Sequence, residues 1–276
     1  MDAKQHEELK RQLSSTTKTD REIAAQWKVH VTTLRRWRAK LGISAPAQKT
    51  HAPAAGLPSE QAESLLTRSD GRIKRDCPRC FGRPLDGQSY TYLLGLYLGD
   101  GHIVATNKGC YRLTLTCCAA WPGLIDAAEQ AMAAVMPLSK AARRPAPGAI
   151  DVNSQSKHWP CLFPQHGPGR KHTRKIELAG WQREIVDQYT EEFIRGLIHS
   201  DGCRSMNRVR RPLKGGDRWY EYPRYSFTNV SVDIQRLFTD ALDRLGIGWT
   251  QMNAKNISVA KREAVARLDG FVGAKY

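Results

Sequence analysis

Two stretches of the chain carry the same pattern of residues able to do chemistry. Residues 93–101 read LLGLYLGDG and residues 194–202 read IRGLIHSDG, each with Gly-Leu, three further residues, then Asp-Gly. At ordinary residue frequencies one such match in a chain of this length is roughly a 1% event, so a pair points to an internal repeat. Within each copy the small residues fall four apart, Gly95 with Gly99 and Gly196 with Ser200, and share one face of a helix. Glycine inside a helix costs about 1 kcal/mol, so its recurrence asks for close packing of two backbones. Asp100 and Asp201 then stand at helix carboxyl ends, where the macrodipole disfavours a carboxylate by about 0.3–1 kcal/mol. Side by side the two acids also repel. A divalent cation offsets both penalties, and hard oxygen ligands with room for water and phosphate suit Mg²⁺, with Mn²⁺ as a substitute. Two carboxylates holding metal beside a phosphodiester make the geometry of metal-assisted hydrolysis. The plainer alternative, a helix ending at Gly101 or Gly202 as a left-handed cap, explains the glycine and not the acid before it.

A second chemistry lies in the cysteines. Seven are present, at 77, 80, 110, 117, 118, 161 and 203, an odd number with two adjacent, which is not the spacing of a disulfide framework. Cys77-Pro-Arg-Cys80 has the spacing of a two-ligand metal clasp. Cys161 and His166, in WPCLFPQHGPGRKH, complete a candidate four-ligand zinc site, with His158 and His172 as alternatives. With one CxxC alone, free reduced thiols are the competing reading, and the one the sequence favours.

The elements that must position these groups are legible from periodicity. After the first Asp-Gly come a strand-like YRLTLTCC, a helix-like WPGLIDAAEQAMAAVM and an extended pair around AIDVNSQ. After the second come RYSFTNVS, the helix-like VDIQRLFTDALDRLGI, then WTQMN, KNISV and a last helix AKREAVARLDGF. Each half reads helix, two strands, helix, two strands, helix.

Upstream, residues 45–58 hold five Ala and three Pro without apolar periodicity and form a linker. Before it, Asp20 is placed to cap a helix carrying Ile23, Ala24 and Trp27. A break at Lys28-Val29-His30 leads to a second helix with Val31, Leu34 and Trp37 on one face. Thr33, Arg35, Arg36 and Arg38 are assigned to its exposed side, with Lys40, as in a helix-turn-helix whose second helix enters a major groove. Lys28 stands where that motif commonly has glycine. The expected organisation is a helix-turn-helix domain over 1–44, an Ala/Pro-rich linker over 45–76, a first repeat over 77–185 and a second over 186–276.

Of the chain's 276 residues, 43 are Lys or Arg and 27 Asp or Glu, a net charge of +16. Residues 1–85 carry +8, the middle to residue 192 only +1, and the remainder +7. Basic ends around a near-neutral middle favour a polyanionic partner. The stretch 203–227 interleaves Arg204, Arg208, Arg210 and Arg211 with aromatics on expected strands, as a groove-facing sheet would. No membrane span or secretory leader is expected, which suggests a cytoplasmic, nucleoid-associated protein.

The two nonapeptides resemble the LAGLIDADG motif of homing endonucleases, each matching it at five of nine positions. The resemblance extends over about residues 86–276. It implies an α+β fold of tandem αββαββα repeats, preceded here by the small all-α domain, with the motif helices at the interface and both sheets forming a saddle on duplex DNA. It implies further that Asp100 and Asp201 bind the catalytic metal, one per strand cut, and that a monomer binds an asymmetric site. Leu98 and His199 replace the motif's first acid, a position that does not carry catalysis in the family. Family members place a basic and a polar residue near the acids; by position Lys157, Lys261 and Asn229 are the candidates, with Cys117 at the place equivalent to Asn229 in the first half.

A sequence-specific double-stranded DNA endonuclease is the leading reading. It is expected to be free-standing, since no His-Asn pair of an intein is apparent. The alternative is a transcriptional regulator that binds DNA without cutting it; regulators resembling this family have lost the motif acids, whereas both are present here. A maturase acting on intron RNA is a third reading, disfavoured by the helix-turn-helix, because the A-form major groove is too narrow for a reading helix.

Overall fold

The computed structural model describes residues 3–14, residues 23, 24, 26, 27, 29, 33, 34, 37, 38 and 41–43, and residues 77–275 apart from 108, 214 and 215. The chain divides into two units, Met1–Ala52 and Pro53–Tyr276.

In the first unit, α1 (Ala3–Ser14) presents Leu9 and Leu13 to a small core with Ile23, Ala24 and Leu34, covered by Trp27, Val29, Trp37, Leu41 and Ile43. The described residues of the expected inward faces, Ile23, Ala24, Trp27, Leu34 and Trp37, therefore meet, and α1 is a third, unanticipated contributor. The Trp27 indole N–H donates to Gln12 at 2.9 Å. Arg38, expected on the exposed face, is instead 3% exposed and donates to the Leu13 carbonyl at 2.5 Å. It ties its own segment to α1 because its position follows Trp37 on the packed side. Thr33 is half-buried. Asp20, Lys28, His30, Val31, Arg35, Arg36, Lys40 and the linker over 45–76 lie outside the described residues.

The second unit is the α+β tandem repeat. A one-turn helix α2 (Pro78–Phe81) precedes α3 (Gly87–Asp100), which runs directly into β1 (Gly101–Ala105) and β2 (Tyr111–Cys118). Then follow α4 (Pro122–Val135), β3 (Ala141–Ala146), β4 (Ala149–Ser156), the one-turn α5 (Trp159–Leu162) and α6 (Gly180–Gln188). The second repeat has α7 (Thr190–Asp201), β5 (Gly202–Leu213), β6 (Gly216–Thr228), α8 (Val232–Arg244), β7 (Thr250–Asn253), β8 (Asn256–Val259) and α9 (Arg262–Asp269). Each half forms one antiparallel four-stranded sheet, ordered β1-β2-β4-β3 and β5-β6-β8-β7.

The Asp86 side chain caps α3 by accepting from the Ser89 amide at 2.9 Å. From Tyr90 to Leu98 every residue of α3 is buried, the signature of a helix packed on all sides. Its main partner is α7. Here the glycines act: a Cβ on Gly95 would lie 2.7 Å from the Phe193 carbonyl oxygen and 2.8 Å from the Leu197 nitrogen, and one on Gly196 would strike the Tyr92 carbonyl. The two motif helices touch through their backbones at the centre of the unit.

Candidate active site

Both motif helices end on their acids and turn into a strand with no intervening loop. Gly101 and Gly202 take extended backbone, φ −90° and −106°, so neither is a left-handed cap. Glycine is required there by space: a Cβ would lie 2.5 Å from Tyr97 Cα at Gly101 and 2.8 Å from Ile198 Cα at Gly202. The close α3–α7 contact thereby delivers Asp100 and Asp201 to the same end of the interface. A Cβ on Gly99 would stand 3.1 Å from Asp201 Oδ2.

The electrostatics follow from that placement. Asp100 reaches solvent, yet much of its surroundings is protein, and this desolvation together with the Asp201 charge pushes its carboxyl up to about 6. Asp201 is also raised by burial, opposed by a hydrogen bond from Asn229 Nδ2 at 2.6 Å and by two lysines. Those lysines are Lys171 and Lys275, which the sequence reading missed. Lys171 Nζ donates to the carbonyls of Tyr97, Gly99 and Gly101 at 2.6, 2.5 and 2.9 Å. Lys275 Nζ donates to those of Ser200 and Gly202 at 3.4 and 2.5 Å. Each ammonium sits at the negative end of a motif helix. Burial lowers Lys171 to about 8, although Asp201 and Asp100 pull the other way; Lys275 is lowered by burial likewise. The positive charge expected from a metal is thus provided in part by the chain itself.

Of the predicted residues, Asp100, Asp201 and Asn229 come together. Cys117 is buried beside them, its thiol pushed up to about 11 by burial and by the Asp100 charge. Lys157 is exposed in the turn after β4, and Lys261 is exposed at the N-cap of α9; the cations acting on the acids are Lys171 and Lys275 instead. These lysines fall 71 residues after Asp100 and 74 after Asp201, and so stand 104 residues apart against 101 for the acids, a match that shows only once the lysines are known to meet the acids. In place of the motif's first acid, His199 is buried, accepts or donates at 2.9 Å with the Tyr92 hydroxyl, and is held down to about 4 by burial.

A cleft of about 790 Å³ opens beside the acids, lined by His102, His166, Arg170, Lys171, Arg174, Asp201 and Asn229 among others. Arg208, Arg210 and Arg211 lie exposed on the long β5–β6 hairpin, with Arg208 over the Trp219 ring at 4.3 Å and Arg211 over Tyr220 at 5.8 Å. Arg204 is committed elsewhere: it clamps Asp269 through two bonds, 2.7 and 2.9 Å, and Asp269 also accepts from the Tyr225 hydroxyl at 2.7 Å. Lys214 lies outside the described residues. His166 is not with the cysteines; its Nδ1 lies 3.3 Å from the Phe163 carbonyl and its ring meets Tyr111 edge-on. Among the described residues no helix is long and apolar enough to cross a membrane.

No protein-family model and no curated protein matches the chain. Several solved structures do. I-DmoI in complex with DNA and Mn has 16% identity, covering 69% of this chain and 99% of its own at a TM-score of 0.47. The LAGLIDADG meganuclease I-AabMI bound to uncleaved DNA has 10% identity, 66% and 82% coverage and a TM-score of 0.44. The N-terminal LAGLIDADG domain of DUF199/WhiA has 13% identity, 70% and 87% coverage and a TM-score of 0.38. With two αββαββα repeats joined along helices that each end in Asp-Gly, the chain is similar in architecture to single-chain, double-motif LAGLIDADG proteins.

Proposed function

We propose that the chain is a sequence-specific double-stranded DNA endonuclease that hydrolyses phosphodiester bonds with the help of a divalent metal. The observation that carries this reading is the pairing of Asp100 and Asp201 at one end of a backbone-to-backbone helix contact, beside a basic cleft. Two close carboxylates whose ionised forms are disfavoured by burial are a hard-oxygen donor set suited to Mg²⁺ or Mn²⁺. A metal bound there would activate water and stabilise the leaving oxygen. Asn229 holds Asp201 in one orientation. Lys171 and Lys275 steady both helix ends and set a positive field for the phosphate. The arginines and aromatics of the β5–β6 hairpin, excluding Arg204, supply phosphate and groove contacts, and Thr33, Arg35 and Arg36 of the N-terminal helix-turn-helix supply a second reading arm.

One observation favours the non-cleaving regulator: Lys171 and Lys275 already offset the negative helix ends without a metal. Selection of bound and of cut sites from a random duplex library separates the two. Recovered cleavage products in Mg²⁺ or Mn²⁺ support the nuclease; tight binding to the best site with no cutting across both titrations supports the regulator.

A further inference from the structure

Away from the acids and independent of any action on DNA, four metal-ligating side chains converge. Cys77 is the extended N-cap of α2, Pro78 occupies the first helical position, and Gly82 at φ 67° turns the chain back after Cys80. The Phe81 amide donates to the Cys77 carbonyl at 3.0 Å and closes the turn. Some eighty residues on, His158 is the N-cap of α5 and Cys161 follows one turn later, its amide donating to the His158 carbonyl at 2.9 Å. Each one-turn helix therefore presents two ligands on one side.

The four ligand atoms lie within 4.8 Å of one another. Cys80 Sγ and Cys161 Sγ are 3.5 Å apart, and Cys161 Sγ and His158 Nδ1 3.7 Å. A tetrahedral zinc ion with bonds of about 2.3 Å to sulfur and 2.0 Å to nitrogen separates its ligands by about 3.5–3.8 Å. A disulfide needs about 2.05 Å, and three thiols leave one over. The Phe81 ring meets His158 edge-on at 5.3 Å and fixes the imidazole, leaving Nδ1 toward Cys161.

We propose that Cys77, Cys80, His158 and Cys161 bind one zinc ion in a closed, structural Cys₃His site. The ion fastens the start of the unit to the segment after β4. That segment is keyed to the first motif helix, since Tyr90 on α3 donates to the Leu162 carbonyl at 2.7 Å and Trp159, Leu162 and Phe163 are fully buried. Because the unfolded chain offers no preformed site, binding free energy becomes folding free energy.

The full chain, purified under reducing conditions without chelator, is expected to carry one zinc per molecule by elemental analysis, released stoichiometrically by a mercurial thiol reagent. Replacing zinc by Co²⁺ should give the visible absorption of a tetrahedral thiolate site. C161S should lose the metal, H158C should keep zinc while shifting the cobalt spectrum, and H166A should change neither. Metal removal should lower the melting temperature by several degrees. Should C161S fail to fold, the H158C and H166A pair decides. The proposal is overturned by reduced protein that holds no zinc and gives no cobalt spectrum, by a mass two hydrogens short showing a disulfide among these cysteines, or by H166A losing the metal.

Discussion

Lys171 and Lys275 hold equivalent posts, one at the carboxyl end of each motif helix, with Lys171 on three backbone carbonyls and Lys275 on two. Their charges reach both acids. Lys171→Met takes one donor from each of three carbonyls and lets the Asp100 carboxyl titrate still higher. Cleavage should fall about 100-fold, as for loss of one preorganised charge, with a stability loss of about 1–3 kcal/mol in denaturant unfolding. A variant that cuts at the wild-type rate would remove Lys171 from the proposed machinery.

Asp100→Asn and Asp201→Asn keep the shape of the site and delete one negative oxygen each. Cutting of the cognate duplex should drop by on the order of 10³-fold, while gel-shift affinity stays near that of the parent. Retained cleavage in the double variant would sink the assignment.

The backbone contact of α3 with α7 leaves no volume for a methyl group at Gly196, whereas Gly180 has nothing within 4 Å of an added Cβ. Gly196→Ala should cost about 1–3 kcal/mol through overpacking. Gly180→Ala should stay within about 0.5 kcal/mol of the parent, like other uncrowded surface changes. Equal melting temperatures for the two variants would contradict the close approach.

On the β5–β6 hairpin, Arg208→Ala should weaken duplex binding across sequences and reduce the slope of log K against log salt by about 1. Arg204→Ala should leave that slope unchanged, because two bonds of 2.7 and 2.9 Å clamp its guanidinium on Asp269, against one looser 3.3 Å pairing of Arg208 with Glu221. The reverse ranking would show that Arg204 lets go of Asp269 to meet phosphate.

Asp269 lies below its ordinary value chiefly because of the Arg204 guanidinium. A carboxylate lowered in the folded state contributes stability above its unfolded value of about 3.9 and loses it as pH falls through the lower folded value. The pair is exposed and screened, so the contribution is about 0.5 kcal/mol or less. Asp269→Asn should therefore converge on the parent as pH falls through the lowered folded value and fall slightly short of it above about pH 5 in urea unfolding at low salt. A variant equally stable at both ends of that range would show that the clamp adds nothing.

The repeat was readable because each motif packs the same local demands into nine residues: small groups on one face, an acid at the end, a glycine that must give way to its own helix. Asn229 was readable too, since it follows directly on a strand whose position the repeat fixes. Lys171 and Lys275 were not, because they come from a 3₁₀ turn and the last residues of the chain and meet the acids only through carbonyls that any sequence supplies. Likewise His166 and His158 look alike in a string, and only the one-turn helix α5 shows that His158 shares a side with Cys161. Arg38 failed for a related reason: an arginine one residue past a core tryptophan looks solvated until α1, absent from the helix-turn-helix expectation, closes over it.

The two sheets do not reach equally far. Strands β5 and β6 run 12 and 13 residues, against 5 and 8 for β1 and β2. At about 3.3 Å per residue the long hairpin extends about 40 Å, more than one turn of duplex at about 34 Å, and its counterpart covers about half a turn. A duplex lying across both arms would be read deeply on one flank and shallowly on the other, so the preferred site should carry its sequence information lopsidedly, with the scissile phosphates off its centre and no palindrome.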